Sequence, residues 1–254
     1  MLSVQDLAVS FGGVTALAGV SFDVHAGTIT SVIGPNGAGK TTAFNAITGY
    51  LSPTRGRIEY DGGALTGLRP SAVAARGIVR TFQKTSVFPA LSVADNVRIG
   101  LHLRGTAGLL DVILGRRRLA AEEAQLTRDA DGIIEFVGLH HRRAERASEL
   151  PYGEQRLVEL AVALGARPRL LLLDEPGAGM TTAEKATVSD LIRRIRDQST
   201  TVLLVEHDMR MVMGISDTVV VLNHGRVIAE GTPAAIQAHP DVIRAYLGSV
   251  GGRA

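Results

Sequence analysis

The stretch Gly34-Pro35-Asn36-Gly37-Ala38-Gly39-Lys40-Thr41-Thr42 follows the spacing G-x-x-x-x-G-K-[ST]. That spacing serves phosphate binding, because glycines let backbone N–H groups converge on phosphate oxygens at the positive end of a following helix. In such a loop Lys40 reaches the β- and γ-phosphates of a bound triphosphate, Thr41 offers its hydroxyl to Mg²⁺, and Thr42 hydrogen-bonds another phosphate. Lysine occurs only at positions 40, 84 and 185, so a chance match is improbable, on the order of 0.01. Far downstream, Leu170-Leu171-Leu172-Leu173-Asp174-Glu175 is an apolar run ending in two carboxylates. Side chains alternate along a strand, so the two acids can take different roles. Asp174 is placed to hold magnesium, and Glu175 to orient or deprotonate a water attacking the γ-phosphate.

These groups need strands and helices to aim them. Residues 1 to 33 read as short strands, with alternating Leu2, Val4, Leu7 and Val9 and again Val20, Phe22 and Val24. Thr28 to Ile33 feeds the glycine loop, and Thr41 to Gly49 is a helix closed by Gly49. Gly56 to Gly62 ends in a turn-forming Asp-Gly, and Ile78 to Phe82 is a further strand. From Ser92 to Arg146 the spacing becomes helical, with a stripe of Leu126, Ile133, Ile134 and Val137 read as core packing. Strands then alternate with helices: Leu170 to Leu173, helix Ala183 to Arg196, strand Thr201 to Val205, a helix from Asp208, and strand Thr218 to Leu222. Alternation of this kind predicts a parallel sheet covered on both faces. A hairpin at Asn223-His224-Gly225 and a helix from Asp241 to Leu247 close the chain.

With 254 residues, 45% of them apolar and 20% charged, the composition is that of a folded globular protein. The apolar stretches Leu160–Ala166 and Leu170–Leu173 fall well short of the ~18 residues of a membrane span. Neither a secretory signal at the start nor any cysteine is present, which makes the cytoplasm the expected location. A formal net charge of +2 gives no argument for nucleic acid. Positive charge does gather at Arg116-Arg117-Arg118 and His140-His141-Arg142-Arg143, to be read as a solvated face or as a contact for anionic headgroups or a membrane partner.

Just before the aspartate strand, Leu150-Pro151-Tyr152-Gly153-Glu154-Gln155-Arg156 resembles the signature loop of ABC (ATP-binding cassette) ATPases. Phe11 resembles the family's adenine-stacking aromatic, Gln83 its Q-loop glutamine, and His207 its switch histidine. The resemblance implies an α/β P-loop NTPase (RecA-like) core with an N-terminal antiparallel β subdomain and an inserted α-helical subdomain. The implied division is 1–88 and 160–254 for the core, and 89–159 for the helical part with its signature loop. It further implies ATP and Mg²⁺ as cofactors, with Thr41, Gln83 and Asp174 at the metal and Glu175, His207, Lys40 and Gln83 at the reaction. Tyr152, Gly153 and Glu154 would meet the nucleotide of a second ABC ATPase subunit facing this one head to tail. Two positions depart from the pattern: Pro151 stands where serine is usual, and Thr181 where aspartate or asparagine is usual.

Gly77 to Gln83 and His239 to Gly248 are similar to the ATPase subunits of branched-chain amino acid importers. By that likeness the chain would lie on the inner face of the cell membrane, beneath two transmembrane permease subunits supplied by a periplasmic or external solute-binding protein. Val87 and Phe88 would then be contacts for a permease coupling helix. The competing readings are urea or amide import, lipid or lipopolysaccharide export, and a soluble ABC ATPase without a transport role.

Overall fold

In a computed structural model that describes residues 1–81, 87–102 and 116–247, with backbone alone for 116–122 and 247, the chain forms two compact units. The first comprises Met1–Arg80 and Arg169–Ala254, and the second Thr81–Pro168.

The first unit begins with β1 (Leu2–Phe11) and β2 (Val14–Val24), which pair antiparallel. These are two long strands rather than the short ones that the sequence suggests. The register slips between Val4 and Leu7, where Asp6 has a φ of 47°. Such a bulge reverses the inward and outward phase of the side chains, so that Leu2, Val4, Leu7 and Val9 all stay buried despite the odd spacing. β4 (Arg55–Tyr60) and the two-residue β5 (Gly63–Ala64) complete a four-stranded sheet in the order β2-β1-β4-β5.

The other sheet of this unit carries the chemistry. It contains β3 (Ile29–Ile33), β6 (Ile78–Arg80), β7 (Leu170–Asp174), β8 (Thr201–Val205), β9 (Thr218–Asn223) and β10 (Arg226–Gly231), in the order β10-β9-β3-β8-β7-β6. All pairs are parallel except β9 with β10, a hairpin turned by His224 and Gly225, both at positive φ. Every residue of β3, β7 and β8 is buried, as expected of central strands covered on both faces. β8 lies between β3 and β7, so three parallel strands end side by side, and ligands of such sheets gather at those carboxyl ends. α1 (Lys40–Ile47) follows β3, and its Phe44 and Ile47 join one core with Leu172, Leu203 and the inner face of the four-stranded sheet. α6 (Thr182–Asp197), α7 (Met209–Ile215), α8 (Pro233–Gln237) and α9 (Pro240–Leu247) complete the unit, together with α2 (Pro70–Ala75), a short helix that the sequence reading passed over.

The second unit is helical among its described residues: α3 (Val93–His102), α4 (Arg116–Phe136) and α5 (Tyr152–Gly165), with 3₁₀ turns at His140–Arg142 and Ala147–Glu149. Of the stripe read from the sequence, Ile134 and Val137 are buried and Leu126 and Ile133 half-buried, and Ala130 is buried beside them. α3 and α5 touch backbone to backbone: a Cβ on Gly100 would lie 2.2 Å from the Val162 carbonyl oxygen, and one on Gly165 would lie 2.9 Å from Leu101 N. This contact keeps the whole of α5 with α3 and carries the helical unit to Pro168, beyond the division at 159/160 drawn from sequence. On the other side the units divide at 80/81 rather than 88/89.

Candidate functional site

The loop between β3 and α1 is shaped by three glycines at positive φ, two of which also leave no room for a Cβ. Gly34, Gly37 and Gly39 have φ values of 148°, 80° and 104°. A Cβ on Gly34 would lie 2.0 Å from the Leu222 carbonyl oxygen, and one on Gly39 would lie 2.6 Å from Leu17 Cδ2 and 2.7 Å from the Ala16 carbonyl oxygen. The β9–β10 turn fastens the loop from beneath, with Gly225 N donating to the Ala38 carbonyl at 3.0 Å. Gly39 caps α1 without any side-chain acceptor, and the first turn of that helix holds no acidic residue. Its leading N–H groups are therefore left to an external anion. Asn36, Gly37 and Thr41 are exposed, Pro35 and Thr42 half-buried, and Ala38 buried. Lys40 is buried, its Nζ donating to the carbonyl oxygens of Gly34 at 2.7 Å and Pro35 at 3.0 Å. Burial pushes its ammonium below the usual value, and the charges of Glu175 and Asp174 pull the other way.

Asp174 ends β7, fully buried. Its Oδ2 accepts from Arg80 Nη2 at 2.7 Å, while its Oδ1 is buried without a hydrogen-bond partner in the protein. Arg80 also donates to Asn45 Oδ1 on α1 at 2.7 Å and lies over the Phe44 ring. It thus ties the helix behind the phosphate loop to the aspartate strand. Glu175 turns into the left-handed region, with a φ of 49°, and its N–H donates to the Val205 carbonyl at 2.9 Å. A non-glycine residue held there costs roughly 1–2 kcal/mol, and such outliers concentrate at functional sites. The turn sends the Glu175 chain away from the strand direction and leaves its Oε1 4.0 Å from Nδ1 of His207. His207 follows β8 and is 59% exposed at its side chain.

Lys40, Asp174, Glu175 and His207 are thus gathered at the ends of β3, β7 and β8. Phe11 lies at the end of β1, half exposed at 50%. Gln83 lies outside the described residues. In the helical unit, Tyr152, Gly153 and Glu154 form the first turn of α5, capped by Pro151 without a side-chain hydrogen bond. Tyr152 is exposed and stacks beneath Arg156, and Glu154 pairs with Arg142 at 3.1 Å. Arg142 also meets Glu145, and Arg143 pairs with Asp131 at 3.0 Å, so these two arginines are balanced within the unit. The side chains of Arg116 to Arg118 lie outside the described residues. Sequence reasoning missed Arg80, Glu206 and Gly177, whose roles depend on partners 94 and 29 positions away.

The ABC transporter family pattern matches residues 17–178, and that of the branched-chain amino acid ATP-binding cassette transporter matches residues 226–251. The chain is 41% identical to the high-affinity branched-chain amino acid transport ATP-binding protein LivG of Escherichia coli K12, over 98% of both chains. It has the same identity and coverage with BraF of Pseudomonas aeruginosa, which bears the same description. Among solved structures, the ADP conformation of an ATP-binding cassette of an ABC transporter superposes with a TM-score of 0.85 at 30% identity, covering 98% of each chain. A nucleotide-free cassette superposes with a TM-score of 0.84 at 31% identity, covering 97% of this chain and 98% of that one. With the family pattern covering residues 17–178 and 41% identity across nearly the whole chain, the chain belongs to the ATP-binding cassette family of ABC transporters.

Proposed function

We propose that this chain is the ATP-hydrolysing subunit of an importer of branched-chain amino acids, working on the inner face of the cell membrane. The observation that carries the reading is the identity of 41% across 98% of the chain to two transport ATP-binding proteins of that substrate class. It is supported by the retention of Lys40, Asp174, Glu175 and His207 in one place.

In this reading the N–H groups of Gly37 to Thr42 and Lys40 bind the phosphates of ATP, and Phe11 stacks on adenine. Glu175 orients the attacking water and accepts its proton, while His207 hydrogen-bonds the γ-phosphate as charge develops. Asp174, Thr41 and Gln83 would hold Mg²⁺. The buried, unpartnered Oδ1 of Asp174 fits a water-mediated metal contact. Among the described residues no cluster of three His, Cys, Asp or Glu could hold a metal, and Mg²⁺ is commonly held by one or two carboxylates together with substrate phosphates. Bound there, the ion would neutralise phosphate charge.

Tyr152, Gly153 and Glu154 would close over the nucleotide of a second ATPase subunit, and that subunit's signature loop over this one. Two permease subunits and an external solute-binding protein complete the assembly. No described helix is long and apolar enough to cross a membrane, so translocation falls to the permeases. Phe88 supports a docking role for the segment that holds it. Its side chain is 51% exposed, while its backbone is pinned by buried Asn96, which accepts from Phe88 N at 2.8 Å and donates to Phe88 O at 3.1 Å.

The test is ATP turnover by the purified complex with its binding protein, with Glu175→Gln as control. Stimulation by leucine, isoleucine or valine, lost in the control, is the expected result. Stimulation by urea, an amide or a lipid would replace the substrate class. Turnover equal to that of Glu175→Gln would sink the hydrolysis reading.

A further inference from the structure

Glu206 sits at the end of β8, only 1% exposed. Its carboxylate is taken up by backbone N–H groups, with Oε2 also 3.7 Å from Nδ1 of His207. Oε1 accepts from Gly177 N at 2.8 Å, and Oε2 accepts from His207 N at 2.8 Å and Asp208 N at 3.2 Å. One side chain therefore spans two loops: the one leaving Glu175 and the one bearing His207. The β7–β8 register explains the reach, since Asp174 lies opposite Val205 and brings the two strand ends level. The space at position 177 is matched to this bond. A Cβ there would lie 2.9 Å from Glu206 Oε1 and 3.1 Å from Met211 Sδ, so glycine lets the loop approach closely enough to donate. A second tie runs parallel to the first, with Lys185 Nζ donating to Asp208 Oδ2 at 2.6 Å.

We propose that Glu206 is a positioning residue that sets Glu175 and His207 against one another, and that Gly177 is glycine to admit its carboxylate. The proposal rests on the reading of this site as one that hydrolyses ATP. Glu206 fixes the backbone N–H groups of His207 and Asp208 and that of Gly177, two residues after Glu175. The 4.0 Å separation of Glu175 Oε1 and His207 Nδ1 is the distance that it governs. Since the phosphate loop lies on β3 and α1, removal of Glu206 leaves nucleotide binding in place and impairs the chemical step.

The experiment uses the intact complex carrying Glu206→Ala, Glu206→Gln, Gly177→Ala and the Ala/Ala double variant. It reads kcat and KM for ATP, the affinity for a fluorescent ATP analogue, and the folded fraction by circular dichroism. Glu206→Ala is expected to lower kcat by about 30-fold, within the range that misplacement of a reacting group by an ångström can cost. KM and nucleotide affinity stay within about threefold, because the binding loop is untouched. Gln can accept on one side only, so Glu206→Gln falls between the wild type and Ala. Gly177→Ala lowers kcat on its own, yet adds less in the Glu206→Ala background, where the contact with Oε1 is gone and only that with Met211 Sδ remains.

A merely structural role would lower the folded fraction without changing kcat per folded site. That result, a loss confined to KM, or additive effects in the double variant would overturn the proposal. Should Glu206→Ala fail to fold, Glu206→Gln and Gly177→Ala decide it by the same split between kcat and KM. Wild-type complex without turnover would overturn the hydrolysis reading and this proposal with it. Wild-type turnover with unaffected variants would overturn this proposal alone.

Discussion

Three helix N-termini in the same unit treat their leading N–H groups in two opposite ways. α6 is closed by its own side chains: Thr181 accepts from Glu184 N, and Glu184 Oε2 accepts from Thr181 N at 2.8 Å, a reciprocal capping box. α7 is closed likewise by Asp208, whose Oδ1 accepts from Arg210 N and Met211 N. α1 is left open, capped by Gly39 with neither a side-chain acceptor nor an acid in its first turn. Since each helix begins with orphan donors, the difference marks where an external anion is wanted. It also recasts the two departures from the family pattern. Thr181, in place of the usual acid, satisfies its helix without outside help. Pro151 offers no hydroxyl and makes no side-chain hydrogen bond, although the first turn of α5, unlike that of α1, holds an acid, Glu154.

The strongest way to break this contrast is to crowd the open end. Gly39→Ala places a Cβ 2.6 Å from Leu17 and 2.7 Å from the Ala16 carbonyl, in a left-handed conformation. Strain and overpacking together should cost about 3 kcal/mol of stability. Nucleotide affinity should fall by about 100-fold, or roughly 2.7 kcal/mol. Gly37→Ala sharpens the reading, because a Cβ there meets nothing within 4 Å and only its φ of 80° resists. Its stability cost should be nearer 1 kcal/mol. Urea denaturation with equilibrium nucleotide binding checks both, and equal losses in the two variants would show that backbone conformation alone, not the close approach, sets the loop.

At the closed end the effect should reverse in kind. Thr181→Ala removes the cap and lowers stability by about 1 kcal/mol, while ATP affinity is unchanged. Thr181→Asp keeps a capping acceptor and holds stability near that of the parent. If Thr181→Ala weakened nucleotide binding as much as Gly39→Ala, the distinction between open and closed helix ends would fail.

What the sequence made legible is what lies contiguous in it. The phosphate loop occupies nine consecutive residues, and the apolar run ending at Asp174 announces its strand, so both could be read without tertiary information. His207 was readable only through its order relative to the others. The bulge at Asp6 was hidden because a one-residue slip scrambles the alternation by which strands are recognised. Arg80, between Asp174 and Asn45, and Glu206, between Gly177 and His207, were hidden for another reason. Charged residues at a strand end read as solvated, and only the strand order, β6 beside β7 for Arg80 and β8 between β3 and β7 for Glu206, turns them inward.

The smallest effect lies at α7, and its sign can be set in advance. Asp208 is held below its ordinary carboxyl value, first by the hydrogen bond from Lys185 and then by the N–H groups of Met211 and Arg210, with burial opposing. A carboxyl depressed in the folded state adds stability above its unfolded value of 3.8 and loses it as the pH falls through the lower folded value. Asn at this position still caps the helix but forfeits the charge, so Asp208→Asn should be less stable by about 0.5 kcal/mol at neutral pH. Denaturant midpoints taken from neutrality down to about pH 3 should show that gap closing as the wild-type carboxyl gains its proton. A gap that stayed constant to the acid end would assign the loss to cap geometry rather than to the Lys185 pair, and would leave the closure of α7 independent of charge.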